Sequence, residues 1–372
     1  MIFKPRLFTK RLLIGFNIVA VFFFLLTCLL PYLHPKSWSM LSFWGLLFPL
    51  LLLLVIIFAI AWLLLAKPRY AMISGIALIL GIKGISVFFA FHTSSKFNYQ
   101  KSPSTIRVVS WNVAQFIELK KNNNKGGKAR GKIFDLIREQ DADVLCLQEF
   151  FTSGDPAWYE NISYIVDSLH YPYWYFSDQY NGDLHYLGSI IFSRHPIIDS
   201  GRVQFPPPTL PEALIYTDIV VNLDTVRVFT THLQSIRFFK REYEQIKKIK
   251  QADDSLLYNS MSILSKIRKS AAYRSIQADI VRDEIKKSPY PVVLCGDMND
   301  VPNSYTYFTV KGKMQDAFLK RGSGIGRTYS DISPTLRIDY IFTDKHFKIV
   351  QFNRLVKKLS DHYMLVADLQ LK

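Results

Sequence analysis

The first quarter of this chain limits its possible architectures more than any other part. Residues 1–95 contain no Asp or Glu, and three apolar runs, roughly 12–33, 41–66 and 70–91, fill most of that length. Each run exceeds the roughly 20 residues a helix needs to cross the hydrocarbon core of a bilayer. A helix packed on a soluble core would show a polar face at helical spacing, and these runs show almost none. The expectation is three transmembrane helices. A cleavable leader would have a shorter apolar core and a small-residue cleavage site, and the first run has neither.

Basic flanks set the expected orientation. Lys4, Arg6, Lys10 and Arg11 precede the first run, Lys36 follows it, and Lys67 and Arg69 lie between the second and third. This places the N-terminus and the Lys67 turn inside. Everything beyond about residue 91 then lies on the outer face of a cytoplasmic membrane. Lys83, inside the third run, is expected to snorkel or to face a neighbouring helix. Three helices with one internal Lys offer no pathway for a channel or transporter.

The chain divides into an anchor at 1–95, a polar linker at 96–105 and a large domain at 106–372. Beyond residue 95, 38 Lys and Arg stand against 30 Asp and Glu, a mildly basic balance of +8 that does not by itself indicate a nucleic-acid partner. Cys28 lies in an apolar run, and Cys146 and Cys295 lie in buried-strand patterns. The spacing fits neither a disulfide framework nor a zinc site, and Cys146 and Cys295 read as core residues.

In the large domain, strand patterns repeatedly end in polar residues. Val292, Val293, Leu294 and Cys295 read as a buried strand, stopped by Gly296. Asp297 and Asn299 follow, two residues apart, and can face the same way. A carboxylate beside a carboxamide suits a site where one takes a proton from water and the other holds the water or an anionic oxygen. An Asx turn is the plain structural alternative. The strand at 106–111 delivers Asn112. The strand at 143–148 delivers Glu149 at its polar end, where a hard cation such as Mg²⁺ is a natural partner. Residues 120–132 read as a basic loop and 133–140 as a helix. A strand at 187–193 is followed by a hairpin of 214–223 and 226–231 that ends at His232, which taken alone is more simply structural. Residues 236–287 are helical in pattern, 236–270 as an extended segment with Ile236, Phe239, Tyr243, Ile246 and Ile249 in one stripe. Strands at 328–329 and 336–342 follow, the latter carrying Arg337, Asp339 and Tyr340. Ser360-Asp361-His362 then precedes a closing strand at 363–371.

Singly these are weak signals, but together they form an ordered set. Ser110-Trp111-Asn112, Leu147-Gln148-Glu149, Thr231-His232-Leu233, Gly296-Asp297-Met298-Asn299, Arg337-Ile338-Asp339-Tyr340 and Ser360-Asp361-His362 span nearly all of 106–372. In kind and order they resemble the endonuclease/exonuclease/phosphatase superfamily. The resemblance implies a four-layered α/β sandwich: two mainly antiparallel sheets flanked by helices, with the active site at one edge. It also implies metal-dependent hydrolysis of phosphoester bonds. Glu149 would hold Mg²⁺ (or Mn²⁺), with Asn112 beside it and Asp361 in or near the metal's shell. Asp297 would orient or deprotonate the attacking water, helped by Asn299. His362, paired with Asp339, would contact the phosphate, and His232 would be a second donor. Abasic-site endonucleases tend to carry Tyr in this region, so a His brings the chain nearer the deoxyribonuclease and sphingomyelinase branches.

The expected function is that of a membrane-anchored, divalent-metal-dependent phosphoesterase acting on phosphodiester bonds, endonuclease-like in the first instance. A phospholipid or phosphoinositide headgroup is the alternative substrate. The basic balance suits nucleic acid, and the tether suits a lipid. Every motif residue expected for hydrolysis is present, which argues against an inactive scaffold.

Overall fold

The computed structural model describes residues 5–92, 96–121, 129–177, 179–180, 184–207, 213–236 and 256–372. The apolar N-terminal part forms helices Pro5–Leu29, Trp44–Leu64, Pro68–Leu80 and Ile82–Phe88. Phe24, Phe48, Val55, Ala77 and Phe88 pack between them. Their outer faces leave side chains such as Phe16, Leu50, Ile60 and Leu64 exposed, an apolar girdle too extensive for a face meant to meet water. Among the described residues, two helices are long and apolar enough to cross a membrane, and a third if the last two count as one span bent by 65°.

The third run is therefore broken where a straight helix was expected. Gly81 occupies the joint, and a Cβ there would lie 2.5 Å from the ring of Phe24, so the neighbouring helix leaves no room for a side chain. Beyond the joint the chain turns onto the large domain. Val87 enters a core cluster with Phe205, Leu214 and Phe229, and buried Arg337 donates to the Val87 carbonyl at 2.5 Å. Lys83 donates to Tyr32 Oη at 2.8 Å and lies over the ring of Phe308, bridging apolar helices and domain.

The large domain consists of two sheets. The first has the order Phe347–Leu355, Met364–Leu371, Ile106–Asn112, Val144–Ser153, His185–Ser193, Tyr173–Phe176, and Gln179–Tyr180 also pairs with His185–Ser193. The second has the order Gln315–Asp316, Asp339–Thr343, Val292–Asp297, Asp224–His232, Ala213–Val221, Ile197–Gln204. The central strands Ile106–Asn112 and Val292–Asp297 are buried along their whole length because both of their faces are covered. Val108, Cys146, Ile191, Ile215, Val228, Cys295 and Ile341 fill the space between the sheets. Helix Ala129–Gln140 covers the first sheet through Ile133 and Ile137. Helices Leu256–Lys286 and Tyr305–Lys311 cover the second through Ala278, Val281, Tyr307 and Val310. This is the four-layered sandwich that the resemblance implied.

Most strand pairs are antiparallel, but each sheet contains one parallel pair at its centre. Ile106–Asn112 runs with Val144–Ser153, and Asp224–His232 runs with Val292–Asp297. Parallel neighbours bring their C-terminal ends to the same edge, so Asn112, Gln148, His232 and Asp297 arrive together. The second pair depends on Gly296. Its φ is +145°, and a Cβ there would lie 2.1 Å from the Thr231 carbonyl oxygen on the adjacent strand.

Several elements differ from the sequence expectation. Glu149 does not end its strand, which continues to Ser153. It sits in a bulge with φ +48°, where the register with His185–Ser193 shifts between Leu147 and Phe150. The extra residue leaves the ladder and turns the carboxylate out of it. Thr328 and Tyr329 form no strand, only an isolated bridge from Tyr329 to His362. The strand expected at 336–342 is Asp339–Thr343. Strands Tyr173–Phe176, Ile197–Gln204 and Phe347–Leu355 were not singled out in the sequence; the last two mix polar and apolar residues because they lie at sheet edges. Residues 237–255, and with them Phe239, Tyr243, Ile246 and Ile249 of the stripe, lie outside the described residues.

Gly296→Ala should cost at least about 3 kcal/mol, because the added methyl meets backbone at a φ that L-residues rarely adopt. A thermal melt of the purified full chain matching that of the unsubstituted protein would contradict the reading of this contact.

Candidate active site

The two parallel pairs and the bulge bring the chemistry-bearing side chains to one edge of the sandwich. Glu149, His232, Asp297, Asn299, Asp361 and His362 line a single cleft of about 390 Å³. Asn112 and Asp339 stand directly behind it. Asp297 faces His232 across the parallel pair and Asp339 across the antiparallel one, so these three lie at one level on adjacent strands.

The floor of the cleft is a buried charge cluster. His362 Nδ1 lies 3.0 Å from both carboxylate oxygens of Asp339, and its Nε2 lies 3.6 Å from Asp297 Oδ2. Thr328 Oγ1 accepts from the backbone N–H groups of Ile338 and Asp339 at 2.9 and 3.1 Å, holding the Asp339 strand end in place. Trp111 Nε1 donates to the His362 carbonyl at 2.9 Å. Ser360 Oγ donates to the Asn112 carbonyl at 2.7 Å and accepts from the His362 N–H at 3.1 Å, so one hydroxyl ties two motifs together. Burial alone would push His362 down, but Asp339 and then Asp297 outweigh it and raise the imidazole to about 10. It is therefore an imidazolium, with Nδ1–H directed to Asp339 and Nε2–H toward Asp297 and the cleft.

Burial, followed by the charge of Asp339, raises Asp297 to about 7, against the pull of His362 and His232. Its Oδ1 accepts from the Asn299 backbone N–H at 2.8 Å. Its Oδ2 faces His232 Nε2 at 3.5 Å and Asn112 Nδ2 at 3.3 Å. Asn299, with φ +50°, directs its side-chain amide away from Asp297, donating to the Leu233 carbonyl at 2.9 Å. It reaches Asp297 through the backbone, and its carboxamide fixes the loop.

Glu149 is half-buried at the cleft wall, with Oε1 3.2 Å from Asn112 Nδ2 and 3.8 Å from His232 Nε2. Asp361 is raised by burial, lowered by His362 and raised again by the nearby charge of Glu149. Two carboxylates in mutual repulsion form an all-oxygen donor set that fits a hard divalent cation. The Asn112 amide nitrogen faces Glu149 and Asp297, while its oxygen accepts from Ala114 N–H at 3.0 Å. Among the described residues, the group compact enough to hold a metal is Asp297, Asp339 and His362, with ligand atoms within 4.8 Å of one another. There His362 Nδ1 already meets both carboxylate oxygens of Asp339. Glu149 and Asp361, residues the sequence assigned to the metal, both line the cleft beside that group.

Sequence reasoning did not assign roles to Ser360, Trp111, Thr328 or Asn303. Ser360 and Trp111 fall inside the quoted motifs, so their position was a signal. Asn303 gave none. It follows the Asp297 loop, is buried, and donates Nδ2 to the Thr27 carbonyl of the first apolar helix at 2.9 Å. Gly84 and Gly45 of two further apolar helices close around it: a Cβ at Gly84 would lie 2.9 Å from Asn303 Oδ1, and one at Gly45 would lie 3.6 Å from its carbonyl.

The profile of the Endonuclease/Exonuclease/phosphatase family matches residues 109–362, and that of a domain of unknown function matches residues 10–88. No curated protein matches the chain. Among solved structures, an endonuclease/exonuclease/phosphatase from Beutenbergia cavernae is similar at 22% identity and TM-score 0.52, over 72% of each chain. An endonuclease/exonuclease/phosphatase family protein from Leptotrichia buccalis is similar at 14% identity and TM-score 0.50, over 72% of this chain and 99% of that one. The human Nocturnin catalytic domain with bound sulfate is similar at 18% identity and TM-score 0.48, over 73% and 96%.

Ser360→Ala removes the hydroxyl that bonds the Asn112 carbonyl, the His362 N–H and Asp361 Oδ1 and should lower stability by about 1–3 kcal/mol. Denaturant titration should show an earlier midpoint with an unaltered slope, and an unmoved midpoint would count against the tie.

Proposed function

Because the chain belongs to the endonuclease/exonuclease/phosphatase family, whose members are hydrolytic phosphoesterases, we propose that it is a membrane-anchored, divalent-metal-dependent enzyme that hydrolyses phosphodiester bonds. The observation that carries this reading is the convergence of a buried Asp297–His362–Asp339 cluster and the Glu149–Asp361 pair in one cleft. The apolar N-terminal helices support the anchor. The domain division is the one read from the sequence: anchor at 1–95, linker at 96–105, catalytic domain at 106–372.

Asp297 is the group that orients and deprotonates the attacking water. It is buried, it faces the cleft with Oδ2, and its other oxygen is fixed by the Asn299 N–H. The His362 imidazolium, held by Asp339, donates to the phosphate as negative charge develops on it. His232, between Asp297 and Glu149, is a second donor to the same group. Asn112 steadies both carboxylates through its amide nitrogen. A Mg²⁺ or Mn²⁺ ion held by Glu149 with Asp361 would neutralise charge on the scissile phosphate and its leaving oxygen.

EDTA should abolish hydrolysis of bis(p-nitrophenyl) phosphate by the full chain, and Mg²⁺ should restore it; full activity in chelator rejects the metal. Asp297→Asn and His362→Ala should each lower kcat by at least about 10²-fold, the usual loss for such a group, with secondary structure retained by circular dichroism. Rates near those of the unsubstituted enzyme reject the assigned roles.

The positive flanks favour a catalytic domain on the outer, periplasmic side of a cytoplasmic membrane. Leu223, at a hairpin tip, is 98% exposed. A cysteine at that position should react with a membrane-impermeant thiol reagent in intact spheroplasts, and labelling only after lysis reverses the orientation.

A further inference from the structure

The cleft is not built by the large domain alone. Leu46, in the first turn of the apolar helix Trp44–Leu64, lines the same cavity as Glu149, His232, Asp297 and His362, and it is 40% exposed. The loop that begins with Asp297 is fastened to the same helices, because Asn303 donates to Thr27 and Val301 packs on Gly45. The loop between the first two long helices also binds helix Leu256–Lys286: His34 Nε2 lies 3.1 Å from Asp279, and Tyr305 donates to the same carboxyl group at 2.8 Å. The cleft mouth is thereby held at the end of the apolar helices.

The cleft walls share one chemical character. Ile263 and Ile267, four residues apart on one helix face, stand with Leu46, Ile332, Leu336 and Ile338 around the polar floor. Among the described residues that line it, the one Lys or Arg is Arg274, already donating to the Gln234 carbonyl at 2.9 Å and facing Asp300 at 3.4 Å. A nucleic-acid strand carries a phosphate at every nucleotide and is normally held by Lys and Arg along its backbone. These walls offer that polyanion little. They suit one phosphate on the floor with apolar chain above it.

Resting on the proposed membrane-anchored phosphodiesterase, we infer that the anchor forms part of the substrate site. The substrate is a membrane phospholipid whose headgroup phosphate descends to His362, His232 and Asp297. Its apolar portion stays against Leu46, Ile263 and Ile267, so the molecule enters sideways from the leaflet without leaving it.

The test uses the full chain reconstituted with Mg²⁺ in vesicles carrying phosphatidylethanolamine, phosphatidylglycerol, phosphatidylcholine, sphingomyelin and phosphatidylinositol. Lipid products are followed by mass spectrometry, with bis(p-nitrophenyl) phosphate and single-stranded DNA assayed in parallel. At least one vesicle lipid should be cleaved. For that lipid, Leu46→Asn and Ile267→Asn should each lower kcat/KM relative to the soluble diester by at least about tenfold, the scale of lost apolar contacts in a pocket. Leu46→Met should retain the ratio, which separates loss of the wall from loss of the fold. If the soluble diester is hydrolysed while no lipid is cleaved, or DNA is cleaved in its place, the lipid site is overturned and the phosphodiesterase reading stands. If lipid is cleaved but Leu46→Asn does not move the ratio, the anchor has no part in the site. If not even the soluble diester is hydrolysed, the underlying reading fails and takes this inference with it.

Discussion

Two parallel strand pairs, one at the centre of each sheet, are the constraint on which the rest of the site rests. Antiparallel neighbours alternate their ends and would scatter Asn112, Gln148, His232 and Asp297 over opposite edges of the sandwich. In parallel they bring all four to one edge, and the facing of the two sheets places the pairs opposite each other. Gln148 Nε2 donates to Thr230 Oγ1 at 2.9 Å, a buried hydrogen bond that links the sheets just beneath the site. The backbone around this edge departs from regular geometry. Glu149 and Asn299 have positive φ, and so do Ala114, Gln115, Phe116 and Ile117, four in succession after Asn112. Such conformations persist only where the surroundings over-determine them.

The electrostatic organisation follows from burial. Asp297, Asp339 and His362 are nearly withdrawn from water, and an isolated charge there would be costly. One imidazolium between two carboxylates offsets much of that cost: the carboxylates keep His362 protonated, while burial and the charge of Asp339 move Asp297 toward neutrality against the pull of His362. Asp361 is raised by burial, with His362 lowering it and the charge of Glu149 raising it again. Two further buried arginines are paired with carboxylates. Arg107 binds Asp368 through two nitrogens at 2.7 and 2.9 Å, and Arg337 meets Asp316 at 2.7 Å, so these pairs organise the core without entering the cleft.

Much of this was legible in the sequence, for identifiable reasons. Apolar runs at 106–111 and 292–295 read as strands because both their faces are buried, and the polar residues closing them fell where the edge lies. The bulge at Glu149 was not legible, since Leu147, Gln148, Phe150 and Phe151 continue the strand pattern across it and a one-residue slip leaves no trace in periodicity. The break at Gly81 was hidden for a related reason: the residues on both sides are equally apolar, and the ring of Phe24 that crowds the joint is 57 positions away. The direction of the Asn112 amide depends on Ala114 and on two carboxylates from other strands. Leu46 looked like any residue of an apolar run. Its place at the cleft arises from contacts between segments far apart in the chain, which local patterning does not record.

The hydrogen bond from Asn303 to the Thr27 carbonyl closes a loop of 276 residues, and that from Arg337 to the Val87 carbonyl closes one of 250. Both join groups that leave the ribosome far apart in time. At roughly 5–20 residues per second, the helices wait on the order of tens of seconds before the loop that fits them has left the ribosome. The Asp297 loop can therefore take its place only after the apolar helices that hold it have been made. The order of synthesis makes the helices a template for the cleft.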